Sequence, residues 1–285
     1  MKRKLLFALA AVIVATTSSS KAATAFKADV VGQGEPVILI PGLASSGEVW
    51  NGTVQHLCGP RQCHVLTLAG FAGQPAIEGP LLPQVEQQLS AYIAEHRLGK
   101  PAIIGHSLGG FVALQFAAAH PEQAGKLVIV DSLPALAATQ APGATAAQLK
   151  QIAAATRARM LGQDDAAYAA GQRRTAATMV TAPADAERIA GWGQRSDRRT
   201  VVDAMAELLA TDLREDVARI QSPTLVLGAW AAYKDYAPRA AIESTYASQY
   251  ARLPGAKIEM ADTARHFIMY DEPAWMYDRI DHFLE

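Results

Sequence analysis

Short runs of valine, isoleucine and leucine alternate along this chain with longer stretches of helical periodicity. Because strands that are covered on both faces are apolar throughout, this alternation is typical of a parallel sheet joined by crossover helices. The predicted strands are residues 36–40, 64–68, 102–104, 126–130, 224–227 and 257–260. The pattern predicts an α/β fold, a mostly parallel sheet with helices on both faces.

One further strand is expected at residues 29–31, ahead of the segment Gly32-Gln33-Gly34. A short glycine-rich link suits a β-hairpin. We therefore expect this strand to form an antiparallel edge of the sheet.

More than 90 residues separate strand 126–130 from strand 224–227, which is too many for one crossover. Apolar positions in this interval recur at the spacing of one helix face. They are Leu149, Ile152, Ala153, Thr156 and Met160, followed by Val201, Met205, Leu208 and Leu209. We interpret residues 134–221 as a mostly helical cap over the sheet, between core segments 26–133 and 222–285. Ordinary surface helices are the alternative, although long insertions are usually functional.

The first 25 residues have the features of a secretory signal peptide. Lys2, Arg3 and Lys4 precede an apolar run at residues 5–15, and small residues lead up to Ala25. The run is shorter than the roughly 20 residues that span a bilayer. We therefore expect cleavage after Ala25, no stable membrane span, and a periplasmic or extracellular protein.

The composition permits a large core and gives no sign of a nucleic-acid partner. Of the 285 residues, 50% are hydrophobic and 19% are charged, as in compact globular proteins. Removal of residues 1–25 leaves 22 Lys plus Arg against 27 Asp plus Glu, so the formal charge moves from −1 to −5. This balance indicates no basic face for nucleic acid.

The two cysteines, Cys58 and Cys63, are close enough in sequence for a local disulfide. Export would let such a bond persist, and Gly59 and Pro60 favour a turn between them. Two unpaired small hydrophobic residues are the alternative. A zinc site is not expected, because the chain has no second pair of cysteines.

A serine-centred motif carries the strongest chemical signal. In Gly105-His106-Ser107-Leu108-Gly109 the serine follows predicted strand 102–104 and precedes a helical pattern that runs through Ala119. A strand-to-helix turn of this kind, a nucleophile elbow, is so tight that small residues must flank the serine, and it exposes the hydroxyl. The amides and dipole of the following helix favour developing negative charge.

Two backbone amides are candidates for an oxyanion site. Acyl transfer needs two donors, one from the residue after the nucleophile and one from the loop after an earlier strand. Leu108 is the first candidate and Leu43, in Pro41-Gly42-Leu43, is the second. Gly42 would allow the chain to approach closely, although a Pro-Gly turn without a role is the alternative.

Of the seven histidines, His266 alone fits the position of a general base, six residues after Met260 at the end of the last predicted strand. His106 is expected to point away from the serine hydroxyl. His96 and His120 lie near predicted helix C-termini, where the helix dipole explains them.

With these motifs the chain resembles the α/β-hydrolase family, and within it the serine esterases and lipases, over nearly all of its mature length. The matching segments are IPGLASSG, IIGHSLGG, LVIVDS, PTLVLGAW and ARHFIMYDEP. The resemblance implies Ser107 as nucleophile, Leu43 and Leu108 as oxyanion donors, and His266 as base. It also implies that the catalytic acid lies between Ser107 and His266 in chain order.

The acid departs from the family pattern. The family usually places an aspartate two to four residues after a glycine that ends the penultimate strand, but Gly228 is followed by Ala229-Trp230-Ala231-Ala232. Asp131, at the end of strand 126–130, and Asp235, seven residues after Gly228, are the two candidates. We favour Asp131, because catalytic groups gather at the carboxyl edge of such sheets. Asp235 keeps the usual chain location but needs a longer loop.

Carboxylic-ester hydrolysis is the activity that the resemblance implies, with a small-molecule ester as partner and an apolar acyl pocket. The serine argues against haloalkane dehalogenases, which carry an aspartate at that position. Lactones, thioesters and activated amides would use the same groups, and no metal or organic cofactor is required. The alternative from a different functional class is a non-catalytic ligand-binding protein that keeps the pocket. The absence of an aspartate at the usual place after Gly228 is the feature that favours it.

Overall fold

The computed structural model describes residues 24–141 and 143–285, so the predicted signal peptide lies outside the described residues except for its last two positions. The strands are β1 (Phe26–Val31), β2 (Glu35–Ile40), β3 (Arg61–Leu68), β4 (Ala102–His106), β5 (Leu127–Val130), β6 (Thr224–Ala229) and β7 (Lys257–Ala261). They form one sheet in the order β1-β3-β2-β4-β5-β6-β7, parallel except for β1. The α/β fold with a mostly parallel sheet is confirmed.

The antiparallel edge strand is present, but its partner is not the one that a hairpin would give. β1 pairs with β3, with Phe26 opposite Leu68, because β3 and β4 occupy both edges of β2. The link from β1 to β2 passes over the turn before β3, where a Cβ on Gly32 would overlap the Arg61 carbonyl oxygen. The glycines of this link allow that close approach and do not close a hairpin.

Helices cover both faces of the sheet. They are α1 (Asn51–Leu57), α2 (Leu81–Glu95), α3 (Leu108–Ala119), α4 (Ala146–Leu161), α5 (Asp165–Met179), α6 (Pro183–Arg195), α7 (Arg198–Ala210), α8 (Arg239–Gln249), α9 (Ile268–Asp271) and α10 (Pro273–Leu284). Successive strand residues point to opposite faces, so Ile38 and Ile40 join an apolar cluster with α2, α3 and α8. Val37 and Leu39 join a second cluster, with α1 and α10.

The segment predicted as a cap, residues 134–221, contains α4 to α7 between β5 and β6. α4 packs on α7, and α5 packs on α6. Of the positions expected to form helix faces, Leu149 and Ala153 of α4 and Val201 and Leu208 of α7 are buried, and the others are half-buried. Among the helices of the described residues, none is long and apolar enough to cross a membrane.

A disulfide joins Cys58 and Cys63 across the turn between α1 and β3. Their Cα atoms are 5.6 Å apart, within the usual range for a disulfide, and both residues are buried. The loop is short, so the bond removes little chain entropy from the unfolded state. By loop-entropy scaling it contributes about 2 kcal/mol to stability, the low end for disulfides.

Candidate active site

Ser107 occupies the tight turn between β4 and α3. Its backbone angles, φ 52° and ψ −119°, lie outside the regions that L-residues favour, and such strain clusters at functional sites. Two glycines make the turn possible, because a Cβ on Gly105 would overlap the Gly109 carbonyl oxygen and a Cβ on Gly109 would overlap that of Ile40. Ser107 itself is partly exposed.

The loop after β2 lies directly against Ser107. A Cβ on Gly42 would be 3.2 Å from the Ser107 Cβ, so Gly42 allows an approach that a larger residue would hinder. Leu43 follows it and is half-buried against the core. Leu108 begins α3, where a backbone N–H has no acceptor within the helix. The structure therefore brings both predicted oxyanion residues next to Ser107.

His266 lies in the loop between β7 and α9, and Glu272 holds the start of this loop. One oxygen of the Glu272 carboxylate accepts hydrogen bonds from the Thr263 backbone, the Thr263 hydroxyl and the Ala264 N–H. Burial raises the pKa of the Glu272 carboxyl, but these hydrogen bonds outweigh burial and leave its pKa below the ordinary value. The loop is thus tied to the helix that follows it.

Asp131 contacts His266 directly, with 2.5 Å between the carboxylate Oδ2 and the imidazole Nδ1. Asp131 directly follows β5 and has a φ of 44°, a left-handed conformation that aspartate tolerates better than most residues. Its side chain is only 9% exposed. Because Nδ1 donates to the carboxylate, Nε2 of His266 is the nitrogen left to accept a proton.

The second carboxylate oxygen of Asp131 has two donors. The Ala229 N–H lies 2.8 Å from Oδ1, and the Tyr246 hydroxyl lies 2.5 Å from it. Burial, and then the charge on Asp131, raises the pKa of Tyr246 well above its ordinary value, so the hydroxyl keeps its proton and donates. Both oxygens of the carboxylate are therefore engaged, which fixes its orientation.

Asp235, the alternative acid, is exposed in the turn between β6 and α8. Asp262 is also exposed and forms an ion pair with Arg239. Of the two acids predicted from the sequence, the structure thus places Asp131 against His266 and Asp235 at the surface.

His106 is fully buried beside His266. The two ring centroids are 4.6 Å apart, and His106 Nε2 donates to the His266 carbonyl oxygen at 3.0 Å. Burial, and then the neighbouring His266, lowers the pKa of His106 well below its ordinary value. A neutral His106 therefore supports the His266 loop without placing a charge beside it.

The helical segment α4 to α7 borders this site. The Phe267 N–H donates to the Met179 carbonyl oxygen at the end of α5, at 3.1 Å. Trp192 of α6 donates from Nε1 to Glu48, in the loop after β2, at 3.2 Å. These contacts join the segment to two of the loops that surround Ser107.

Sequence reasoning missed Tyr246 and Glu272, and it assigned no role to His106. Glu272 lies within the matching segment ARHFIMYDEP, so its motif could have revealed it. His106 and Tyr246 contact partners 160 and 115 positions away in the chain, and no local pattern reveals such pairs. Across residues 24–141 and 143–285, no group of three or more His, Cys, Asp or Glu side chains could hold a metal ion.

Comparison with known proteins identifies relatives. The sequence model described as the alpha/beta hydrolase family matches residues 37–279. This chain is similar to the pimeloyl-[acyl-carrier protein] methyl ester esterase of Aeromonas salmonicida, with 35% identity over 105 residues, which are 36% of this chain and 40% of that protein. The chain thus spans about two-fifths of the length of the curated relatives that it matches.

Solved structures show the same fold. A hydrolase from Pseudomonas aeruginosa has a TM-score of 0.73 and 20% identity, over 91% of this chain and 94% of that one. An enol-lactonase from Burkholderia xenovorans has a TM-score of 0.75 and 16% identity, over 91% of this chain and 96% of that one. At these identities the likeness is one of fold alone.

Proposed function

We propose that this chain, which belongs to the alpha/beta hydrolase family, hydrolyses carboxylic esters through an acyl-enzyme formed on Ser107. One observation carries the proposal: groups from separate strands converge at one edge of the sheet. They are Ser107 after β4, the Asp131 and His266 pair after β5 and β7, and the Gly42-Leu43 loop after β2. A serine, a base and amide donors are the groups that acyl transfer requires.

In this proposal His266 serves as general base and then as general acid. Asp131 holds the Nδ1–H, so Nε2 takes the Ser107 proton as the serine oxygen attacks the ester carbonyl carbon. The Leu43 and Leu108 amides stabilise the resulting oxyanion. Nε2 then protonates the departing alcohol oxygen. Water, deprotonated by the same nitrogen, attacks the acyl carbon; the bond from that carbon to the Ser107 oxygen then breaks, Nε2 returns the proton to the serine oxygen, and the carboxylic acid leaves.

Two observations support the ester class and catalysis. A curated relative carries the name of a methyl ester esterase. The non-catalytic alternative rested on the missing aspartate after Gly228, and the contact between Asp131 and His266 removes that support. Lactones, thioesters and activated amides present the same carbonyl chemistry and belong in the substrate panel.

p-Nitrophenyl esters of increasing acyl length test this proposal. We expect turnover, with kcat/KM rising about fourfold for each added methylene until the acyl site is full, because burying one CH₂ contributes about 0.8 kcal/mol. Steady-state kinetics measures the series, and a thioester, an amide and a lactone with matched acyl groups measure the preference. If no member is turned over faster than by a Ser107→Ala variant, the esterase proposal is wrong.

We also propose that residues 1–25 are removed during export, which the basic, apolar and small-residue order supports. Without reductant, the intact mass of the exported protein should equal that of the chain from Phe26 less the two thiol hydrogens of Cys58 and Cys63. Reductant should restore those hydrogens. A mass that includes residues 1–25 contradicts cleavage, and a two-thiol mass without reductant contradicts the bridge.

A further inference from the structure

Asp131, which lies outside the usual position of the family's acid, accepts a hydrogen bond from a tyrosine on another element, Tyr246. We propose that Tyr246 of α8 is a positioning residue, which orients the Asp131 carboxylate toward His266 and disperses its charge. This inference rests on the proposed function, in which Asp131 assists His266. Tyr246 is buried behind Asp131 and acts through it, without contact with the reacting atoms.

The path by which Tyr246 reaches Asp131 crosses β6. Asp131 follows β5, and Tyr246 belongs to the helix that follows β6, so the ring must pass over the end of β6. Gly228 provides the space, since a Cβ there would lie 2.9 Å from the Tyr246 Cζ. Gly228 is the glycine after which the family usually carries its acid. In this chain it leaves room for Tyr246, which donates a hydrogen bond to Asp131 after the neighbouring strand β5.

The end of α8 also holds the backbone that follows Asp131, but in a different way. Tyr250 donates to the Ser132 carbonyl oxygen at 2.7 Å, and the Gln249 amide bonds both backbone groups of Ala135 at 3.0 Å. These contacts reach only main-chain atoms, whereas Tyr246 contacts the carboxylate itself. The two tyrosines therefore form a matched pair for experiment.

The titratable groups around the Asp131 and His266 pair carry no charge near pH 7. The titratable neighbours that face Asp131 and His266 in the described structure are His106, Tyr233, Tyr246 and Tyr250. Burial lowers the pKa of the histidine, and burial followed by the charge on Asp131 raises the pKa of each tyrosine. All four are neutral near pH 7, so an acidic limb in the pH–rate profile reports the pair itself.

Tyr246→Phe removes one donor from Oδ1 and leaves the Ala229 N–H in place. A carboxylate with fewer donors turns more freely and holds the proton on His266 more tightly. We expect kcat near pH 7 to fall about 10-fold, with KM unchanged, and the acidic limb to move about one unit to higher pH. Tyr250→Phe, the matched control, should keep kcat within about twofold and leave the limb in place.

Two further measurements separate positioning from a structural effect and from failure of the proposed function. The low-field proton NMR signal of the His266 Nδ1–H should move downfield in Tyr246→Phe and stay in Tyr250→Phe, whether or not esters are substrates. In an Asp131→Asn background, Tyr246→Phe should have little further effect on kcat. The inference is overturned if Tyr246→Phe keeps the wild-type resonance and limb, or if Tyr250→Phe changes both equally.

Discussion

Ser107→Ala is expected to lower kcat for ester hydrolysis by about 10⁶-fold and to abolish labelling by a fluorophosphonate. The proposed reaction has no covalent route without the serine oxygen, and the remaining amides can only bind and polarise the carbonyl. The activity that remains in Ser107→Ala should be no more than substrate binding and the oxyanion amides provide. Mass spectrometry of the labelled protein and initial-rate kinetics with a p-nitrophenyl ester measure the two effects.

Ser132→Ala is the matched control, because Ser132 is a buried serine beside the elbow. A Cβ on Gly110 would lie 2.7 Å from the Ser132 Cβ, so the Ser132 side chain is close to the turn that holds Ser107. Ser132 itself belongs to another element, the loop after β5, where it directly follows Asp131. We expect normal labelling in Ser132→Ala. Labelling that persists in Ser107→Ala but disappears in Ser132→Ala would show that the nucleophile has been assigned to the wrong residue.

Asp131→Asn is expected to lower kcat by about 10⁴-fold, the effect of losing the acid in the serine-protease template. The hydrogen bonds around Asp131 give the reason. The Tyr246 hydroxyl and the Ala229 N–H both donate to Oδ1, so the asparagine oxygen must face them and its NH₂ must face His266. Nδ1 then accepts, the proton moves to Nε2, and the imidazole can no longer take the Ser107 proton.

Asp235→Asn provides the comparison for this variant, since Asp235 is exposed and its replacement should leave kcat nearly unchanged. Circular dichroism and denaturant unfolding check that each variant is folded. Near-normal turnover in Asp131→Asn together with a large loss in Asp235→Asn would reverse the assignment of the acid.

The strand, turn and helix around Ser107 could be predicted because their determinants are contiguous. Residues 102–119 contain the apolar strand, the two flanking glycines and the helix pattern, and each acts on its near neighbours in the chain. The same holds for Leu43 and Leu108, which lie at the ends of recognisable elements. The apolar periodicity of α4 and α7 likewise predicted their buried faces.

The pairing of β1 could not be read from the chain. A glycine-rich link suits a hairpin, and nothing within residues 26–40 reveals that β3 inserts between β1 and β2. That choice depends on which strands compete for the edges of β2, and this is a property of the whole sheet.

The sequence by itself therefore determined the fold class, the elbow at Ser107, the position of His266 and a choice of two acids, because each depends on local periodicity, turn chemistry or motif spacing. Only the tertiary structure placed Asp131 rather than Asp235 against His266, and only it revealed the contacts of His106 and Tyr246. The physical reason is that these contacts join residues more than 100 positions apart, through the adjacency of β5 and β6 and the path of α8 over Gly228.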